Sequence, residues 1–155
     1  MNSVIVYDSV FGNTASIAKA IAAALEDKGA VRLLPVAEAK TLDLSGIDLL
    51  IVGSPTRGFR PTPAIDEFIA GLPSGTAIRA AAFDTRLDAA EIHPAPLRWV
   101  VNAGGYAAQR IAHGLRDKGL AVIGTDGDFV VTGTEGPLKA GEIERAADWA
   151  KSLTA

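Results

Sequence analysis

The 155-residue sequence contains no cysteine. That excludes disulfides, thiolate nucleophiles, iron–sulfur clusters and cysteine-ligated zinc together. Histidine is nearly as scarce. His93 and His113 are the only two and lack HExxH-type spacing, so a histidine-built metal site is not expected. Charge of one sign is also lacking: 15 basic residues face 18 acidic ones, net −3, with no run of either. A nucleic-acid backbone as main partner needs a clustered basic face, so none is expected. No apolar run approaches the ~20 residues of a membrane span. Met1-Asn2-Ser3 has no positive region, and Val4-Ile5-Val6-Tyr7 is too short for a signal core. A cytoplasmic protein is the expectation.

What is present is a large apolar complement, 48% of residues against 21% charged, enough for one well-buried domain spanning residues 1–155. Short aliphatic runs stand at Ser3 to Asp8, Val31 to Val36, Asp48 to Gly53 and Ala77 to Asp84. Ala121 to Gly124 and Asp128 to Thr132 read as one further strand interrupted at Thr125-Asp126-Gly127. Near-continuous apolar runs mark strands covered on both faces. Between them lie helical stripes. Ile17, Ile21 and Leu25 recur at i+4 between Asn13 and Lys28, before Gly29. Thr62-Pro63 reads as N-cap and N1 of a helix burying Ile65, Phe68, Ile69 and Leu72, closed by Pro73. Ala107, Ile111 and Leu115 form a third stripe ending at Gly119. A fourth runs from about Ala140 to Leu153, with Ile143, Ala147, Ala150 and Leu153 facing inward. Ala37 to Ile47 reads as a poor helix or a loop. Alternating strands and helices predict an α/β fold, a doubly wound three-layer α/β/α sandwich on a five-stranded parallel sheet. Its functional edge is the carboxyl ends of the strands, where Asp8, Gly53 and Asp84 stand.

Ser9-Val10-Phe11-Gly12-Asn13-Thr14 leads from the first strand into the first helix. Such a loop offers backbone N–H groups and hydroxyls at the positive end of a helix dipole, which suits a phosphate. It lacks the lysine of a nucleoside-triphosphate loop and the GxGxxG of a dinucleotide fold, so a terminal phosphomonoester remains. No Lys or Arg precedes residue 19, so the anion is expected to be held by amides and hydroxyls. Asp8 reads as a polar strand-end residue. An aspartyl phosphatase would want a second aspartate where Val10 stands, and a phospho-accepting receiver would want one at the end of the third strand, which reads Gly53-Ser54.

Gly53-Ser54-Pro55-Thr56-Arg57-Gly58-Phe59-Arg60-Pro61-Thr62-Pro63 is a stiff loop offering amides and an aromatic to a flat ligand. Asp84-Thr85-Arg86 follows the fourth strand. A long connection then runs through Trp99, which reads either as a cover for the sheet edge or as a flap, to Gly104-Gly105-Tyr106.

These loops resemble those of the flavodoxin-like family. Ser9 to Thr14 match its [S/T]-x-x-G-N-T phosphate loop. Pro55-Thr56-Arg57-Gly58-Phe59 is similar to the Pro-Thr-Arg-Phe-Gly of flavodoxin-like NAD(P)H:quinone oxidoreductases, and Asp84-Thr85-Arg86 takes the place of the third loop. The resemblance covers the whole chain and implies strand order 2-1-3-4-5, as in a short-chain flavodoxin, and one noncovalent FMN. On that implication Ser9, Val10, Phe11, Gly12, Asn13 and Thr14 hold the phosphate. Pro55, Thr56, Arg57, Gly58 and Phe59 line one side of the ring, and Asp84, Thr85 and Arg86 approach the other. No side chain need act as acid or base. The implied activity is electron transfer with a redox partner protein. The alternatives are an NAD(P)H- or quinone-dependent flavin oxidoreductase and a binding module that has lost FMN. Arg57, Arg60 and Arg86 give the ring site a positive or neutral field unless they pair with Asp66, Glu67 or Asp88.

Overall fold

The computed structural model describes residues 1–87 and 105–154. Six strand segments and four helices alternate along them. The strands are β1 (Ser3–Tyr7), β2 (Val31–Pro35), β3 (Leu49–Pro55), β4 (Arg79–Leu87), β5 (Ala121–Val122) and β6 (Gly127–Val131). The helices are α1 (Asn13–Leu25), α2 (Pro63–Ala70), α3 (Ala107–Asp117) and α4 (Glu142–Ser152). Every pairing between these strands is parallel, in the order β2-β1-β3-β4-β5, with β6 also on β4. Ser3 stands beside both Val31 and Leu49, so β1 is an interior strand, between β2 and β3.

The fifth sheet position is one strand in two pieces, as its sequence suggests. β5 pairs with the start of β4, Arg79↔Ala121, and β6 with its end, Phe83↔Gly127 through Leu87↔Val131. The carbonyl of Thr125, in the interruption, is satisfied by the Trp149 indole N–H at 2.8 Å. Pairing with β6 carries β4 three residues beyond Asp84, the expected strand end. Asp84 therefore lies within the strand rather than at its tip.

Alternate strand residues feed two cores, as the two-residue period of a strand requires. Val4, Val6, Leu50, Val52, Ala80 and Ala82 face α2 and α3, meeting Ile65, Ile69, Ile111 and Leu115. Ile5, Leu49, Ile51, Ala81 and Phe83 face α1 and α4, meeting Ile17, Ile21, Leu25, Ala146 and Ala150. This is the three-layer sandwich. Each fully buried Ile or Leu contributes about 1.5–3 kcal/mol of transfer free energy. Phe83, Phe129 and Trp149 meet edge-to-face, with centroids 5.9–6.3 Å apart, on the α4 side.

Two helices differ from the sequence reading. α1 ends at Leu25 and continues as a 3-10 turn, Glu26–Lys28. In α4 the inward face is Glu142, Ala146 and Ala150, while Ile143 is 41% exposed and Ala147 half-buried. The reason is the helix start. The Glu142 carboxylate accepts the Val130 N–H at 2.7 Å, which turns that residue toward β6 and brings the alanines four and eight positions on against α1. Leu153 faces inward as expected. Residues 37–47 carry only the 3-10 turn Val36–Glu38, with Leu44 and Ile47 buried beyond it.

Candidate functional site at the strand carboxyl ends

β1 ends at Tyr7, and the chain turns over its carboxyl end into α1. The Asp8 N–H donates to the Gly53 carbonyl, and its carboxylate accepts from the Ser9 N–H at 2.9 Å, so Asp8 is a structural strand-end residue. The Ser9 hydroxyl accepts from the N–H groups of Gly12 (3.1 Å) and Ala15 (3.3 Å), closing the loop on itself. Gly12 has φ +94°, a conformation a side chain would strain even though the space beside it is open. The N–H groups of Val10, Phe11, Asn13 and Thr14 have no acceptor among the described residues. Those of Asn13 and Thr14 are unsatisfied donors of the helix start, and those of Val10 and Phe11 lie in the loop just before it, all at the positive end of its dipole.

Two side chains tie this loop to its neighbours. The hydroxyls of Thr14 and Thr85 lie 2.8 Å apart, and Thr14 is buried. Asn13 Nδ2 donates to the Glu135 carbonyl at 3.1 Å, drawing in the loop after β6.

The second wall follows β3. The Ser54 hydroxyl accepts the Thr62 N–H at 2.9 Å, fixing the base of the loop before α2. The Thr56 N–H donates to the Thr85 carbonyl, and its hydroxyl accepts the Ala107 N–H at 3.0 Å. Arg57 and Arg60 exchange both backbone hydrogen bonds around Gly58 and Phe59, whose φ values are +56° and +68°. That is a tight hairpin turn of the mirror-image type, and it holds a phenylalanine in the left-handed region. Arg110 of α3 braces it, its Nε donating to the Phe59 carbonyl at 2.8 Å.

The third wall is the end of β4. Asp84 is wholly buried and turns away from the edge. Its oxygens accept from Arg86 Nε (2.8 Å), Arg86 Nη2 (2.7 Å) and the Ala108 N–H at the start of α3 (2.9 Å). Burial pushes its carboxyl above the ordinary range, opposed by the Arg86 guanidinium and the Ala108 N–H. The other face of that guanidinium lies 3.6 Å from the Tyr106 ring centroid. Asp126 is likewise raised, first by burial.

The three walls enclose a hollow of about 290 Å³. Val10, Phe11, Asn13 and Thr14 line one end; Pro55, Thr56, Arg57 and Gly58 one side; Thr85, Arg86 and Leu87 the other. Of the residues expected from sequence, Ser9, Gly12, Phe59 and Asp84 do not line it. Ser9 and Gly12 shape the loop from behind, Phe59 forms the outer turn, and Asp84 anchors Arg86. Arg86 thus pairs with Asp84, and neither Arg57 nor Arg60 pairs with Asp66 or Glu67; Asp88 lies outside the described residues. Leu87, Val131 and Thr134 line the hollow without having been anticipated. A signal for Thr134 is present: Thr132-Gly133-Thr134 follows the last strand at this same edge. Trp99 and its connection lie outside the described residues. A larger hollow of about 470 Å³, between residues 36–42 and α2, has mostly apolar walls with Lys40 and Glu67. Among the described residues there is no group of side chains suited to a metal ion. No described helix is long and apolar enough to cross a membrane.

Residues 4–91, more than half of the chain, match the family model described as a flavodoxin domain. The chain belongs to the flavodoxin family. No curated protein matches this flavodoxin-family sequence. Solved structures share its fold at low identity. A flavodoxin from the domain Archaea aligns over 100% of both chains, with TM-score 0.73 and 20% identity. Oxidised Flavodoxin 2 from Bacillus cereus aligns over 99% of this chain and 98% of its own, at 0.74 and 18%. Rubredoxin oxygen:oxidoreductase from Desulfovibrio gigas aligns over 98% of this chain but 35% of its own, at 0.71 and 20%. The flavodoxin-family sheet order β2-β1-β3-β4-β5 places the three loops at one edge.

Proposed function

We propose that this flavodoxin-family chain binds one FMN noncovalently and works as an electron-transfer flavoprotein. The observation that carries the reading is the set of four free N–H groups at Val10, Phe11, Asn13 and Thr14, opening onto the 290 Å³ hollow. The donor set fits a phosphomonoester: amides, the Thr14 hydroxyl and a helix dipole, with no lysine or arginine in the loop. At about 290 Å³ the hollow lies just below the ~300–1,000 Å³ range of ligand pockets. Pro55 to Gly58 would flank the ring on one side and Thr85 to Leu87 on the other.

FMN supplies one- or two-electron chemistry when bound, and the protein supplies position and electrostatics. Here the Thr14–Thr85 contact fixes the phosphate end relative to the ring end. The Asp84–Arg86–Tyr106 stack fixes one wall without adding net charge. A second reading, an NAD(P)H- or quinone-dependent flavin oxidoreductase, is favoured by Arg57 in the wall and by the absence of any carboxylate among the described lining residues. Such a field stabilises the anionic reduced ring that two-electron chemistry leaves.

Fluorescence titration with FMN tests the cofactor. Micromolar FMN should be quenched on binding, and Thr14→Val should weaken it by about 1–3 kcal/mol while changing riboflavin far less. Absence of binding would leave a flavodoxin fold serving as a binding module. NAD(P)H oxidation with a quinone acceptor then separates carrier from enzyme.

A further inference from the structure

Arg57, Arg60 and Arg110 converge on one hairpin tip at the rim of the hollow, and all three are exposed. Arg57 and Arg60 are direct cross-strand partners, so their side chains leave the same face of the turn. Like charges placed directly opposite destabilise a hairpin. None of the three forms an ion pair with a described carboxylate that would offset this. Arg110 has its Nε engaged by the Phe59 carbonyl, which leaves the two Nη groups as the outward fork. Across the same hollow stand Val10 and Phe11, exposed by 48% and 47%, two of the three exposed large apolar residues among those described.

We propose that this arginine rim, with Phe11 and Val10 across the hollow, is the docking surface for the acidic face of a redox-partner protein. The inference rests on the electron-transfer reading above. Arg60, on the turn, and Arg110, on α3 beside it, line neither hollow. Small anions are held in concave sites, whereas an aromatic and an aliphatic side chain with arginines around them is the make-up of a protein interface. The chain as a whole is negative, at −3, so the attraction is local to this rim and vanishes beyond a Debye length of about 10 Å at 0.1 M salt.

The test is biolayer interferometry of the full chain, with FMN added, against a ferredoxin of strongly acidic surface and a cytochrome c of strongly basic surface. At about 20 mM salt the ferredoxin should bind at least about tenfold tighter, and the advantage should disappear at about 300 mM. Arg60→Gln with Arg110→Gln should cost most of it, and Arg60→Glu alone, which leaves the Arg110 brace intact, should cost about tenfold. Equal or tighter binding of cytochrome c, or variants that bind ferredoxin like the parent, would overturn the proposal. So would variants that lose binding of NADPH, run as a third analyte, and keep ferredoxin. FMN titration of Arg60→Glu, which keeps the brace, should be unchanged. Loss of FMN binding with the ferredoxin preference intact would overturn the flavin reading but support the rim. FMN binding without that preference would overturn the rim alone.

Discussion

Replacing Asp84 by Asn should be among the most destabilising single changes in the molecule, and its cost should be recoverable. The carboxylate is fully buried and accepts three hydrogen bonds, two from Arg86 and one from the Ala108 N–H. The Arg86 side chain is only 16% exposed and is packed against Tyr106, so it has little access to water as a substitute partner. Removing one member of a buried pair typically costs about 3–5 kcal/mol, because the other charge is left uncompensated. The rim exposure of Arg86 places Asp84→Asn near the lower figure, about 3 kcal/mol. Removing both charges, Asp84→Asn with Arg86→Met, should recover about half or more of that, since the desolvation of both ions is removed together. Arg86→Met alone isolates the acid and should behave differently with pH. Asp84 then loses the partner that opposes its upward shift, so the folded state holds the proton more tightly than the unfolded chain. Stability of that variant falls as pH rises from the ordinary carboxylate range toward the raised folded pKa, and acidification restores it. Urea unfolding at several pH values measures all three variants. A double variant as unstable as the sum of the singles, or an Arg86→Met variant indifferent to pH, would refute the reasoning.

Other changes probe the remaining elements. Glu142 is pushed up by burial, but Arg145 and the Val130 N–H outweigh this and hold it below its ordinary value. Its stabilisation is therefore present above pH 4.5 and lost as pH falls through the lowered pKa. Glu142→Gln should cost about 1–3 kcal/mol at neutral pH and flatten the acid limb of the unfolding curve; a parallel acid limb contradicts it. Phe129→Ala, at 1% exposure between Phe83 and Trp149, should cost about 3–5 kcal/mol in urea unfolding, and a loss below about 1 kcal/mol would mean the ring cluster is not packed. Phe59→Gly should raise stability or leave it unchanged, because glycine relieves the φ of +68° by about 1 kcal/mol; a clear fall in melting temperature would show that the half-buried ring outweighs the backbone.

The sheet was legible in the sequence because its strands are covered on both faces, so Val4-Ile5-Val6 and Leu49-Leu50-Ile51-Val52 stand out as unbroken runs. The loop at Ser9 to Thr14 was legible because its geometry is local: a glycine in the left-handed region and the first turn of one helix. What failed to show was pairing across the fold. Asp84 looked like a strand-end residue facing a ligand. Its partners, Arg86 and the Ala108 N–H, meet it only because β6 prolongs β4 and α3 begins beside it. The face of α4 differs from the register its hydrophobicity suggests, in which Ile143 points inward. Hydrophobicity favours Ile143, but the Glu142 carboxylate bound to Val130 sets the rotation. Ser9 reads as a donor to an anion; its oxygen also accepts two loop amides, a closure not legible in sequence, while the hydroxyl hydrogen stays available to donate.

The central claim is that one FMN lies in the hollow with its phosphate at the start of α1. Amide chemical-shift mapping on isotope-labelled protein tests it directly. Addition of FMN should shift the amides of Val10, Phe11, Asn13 and Thr14 most, together with Thr56, Arg57, Thr85 and Arg86, while riboflavin should move the second group and leave the first nearly still. Shifts confined to residues 36–42 and 64–73, around the larger hollow, or identical responses to the two flavins at Val10 to Thr14, would contradict it.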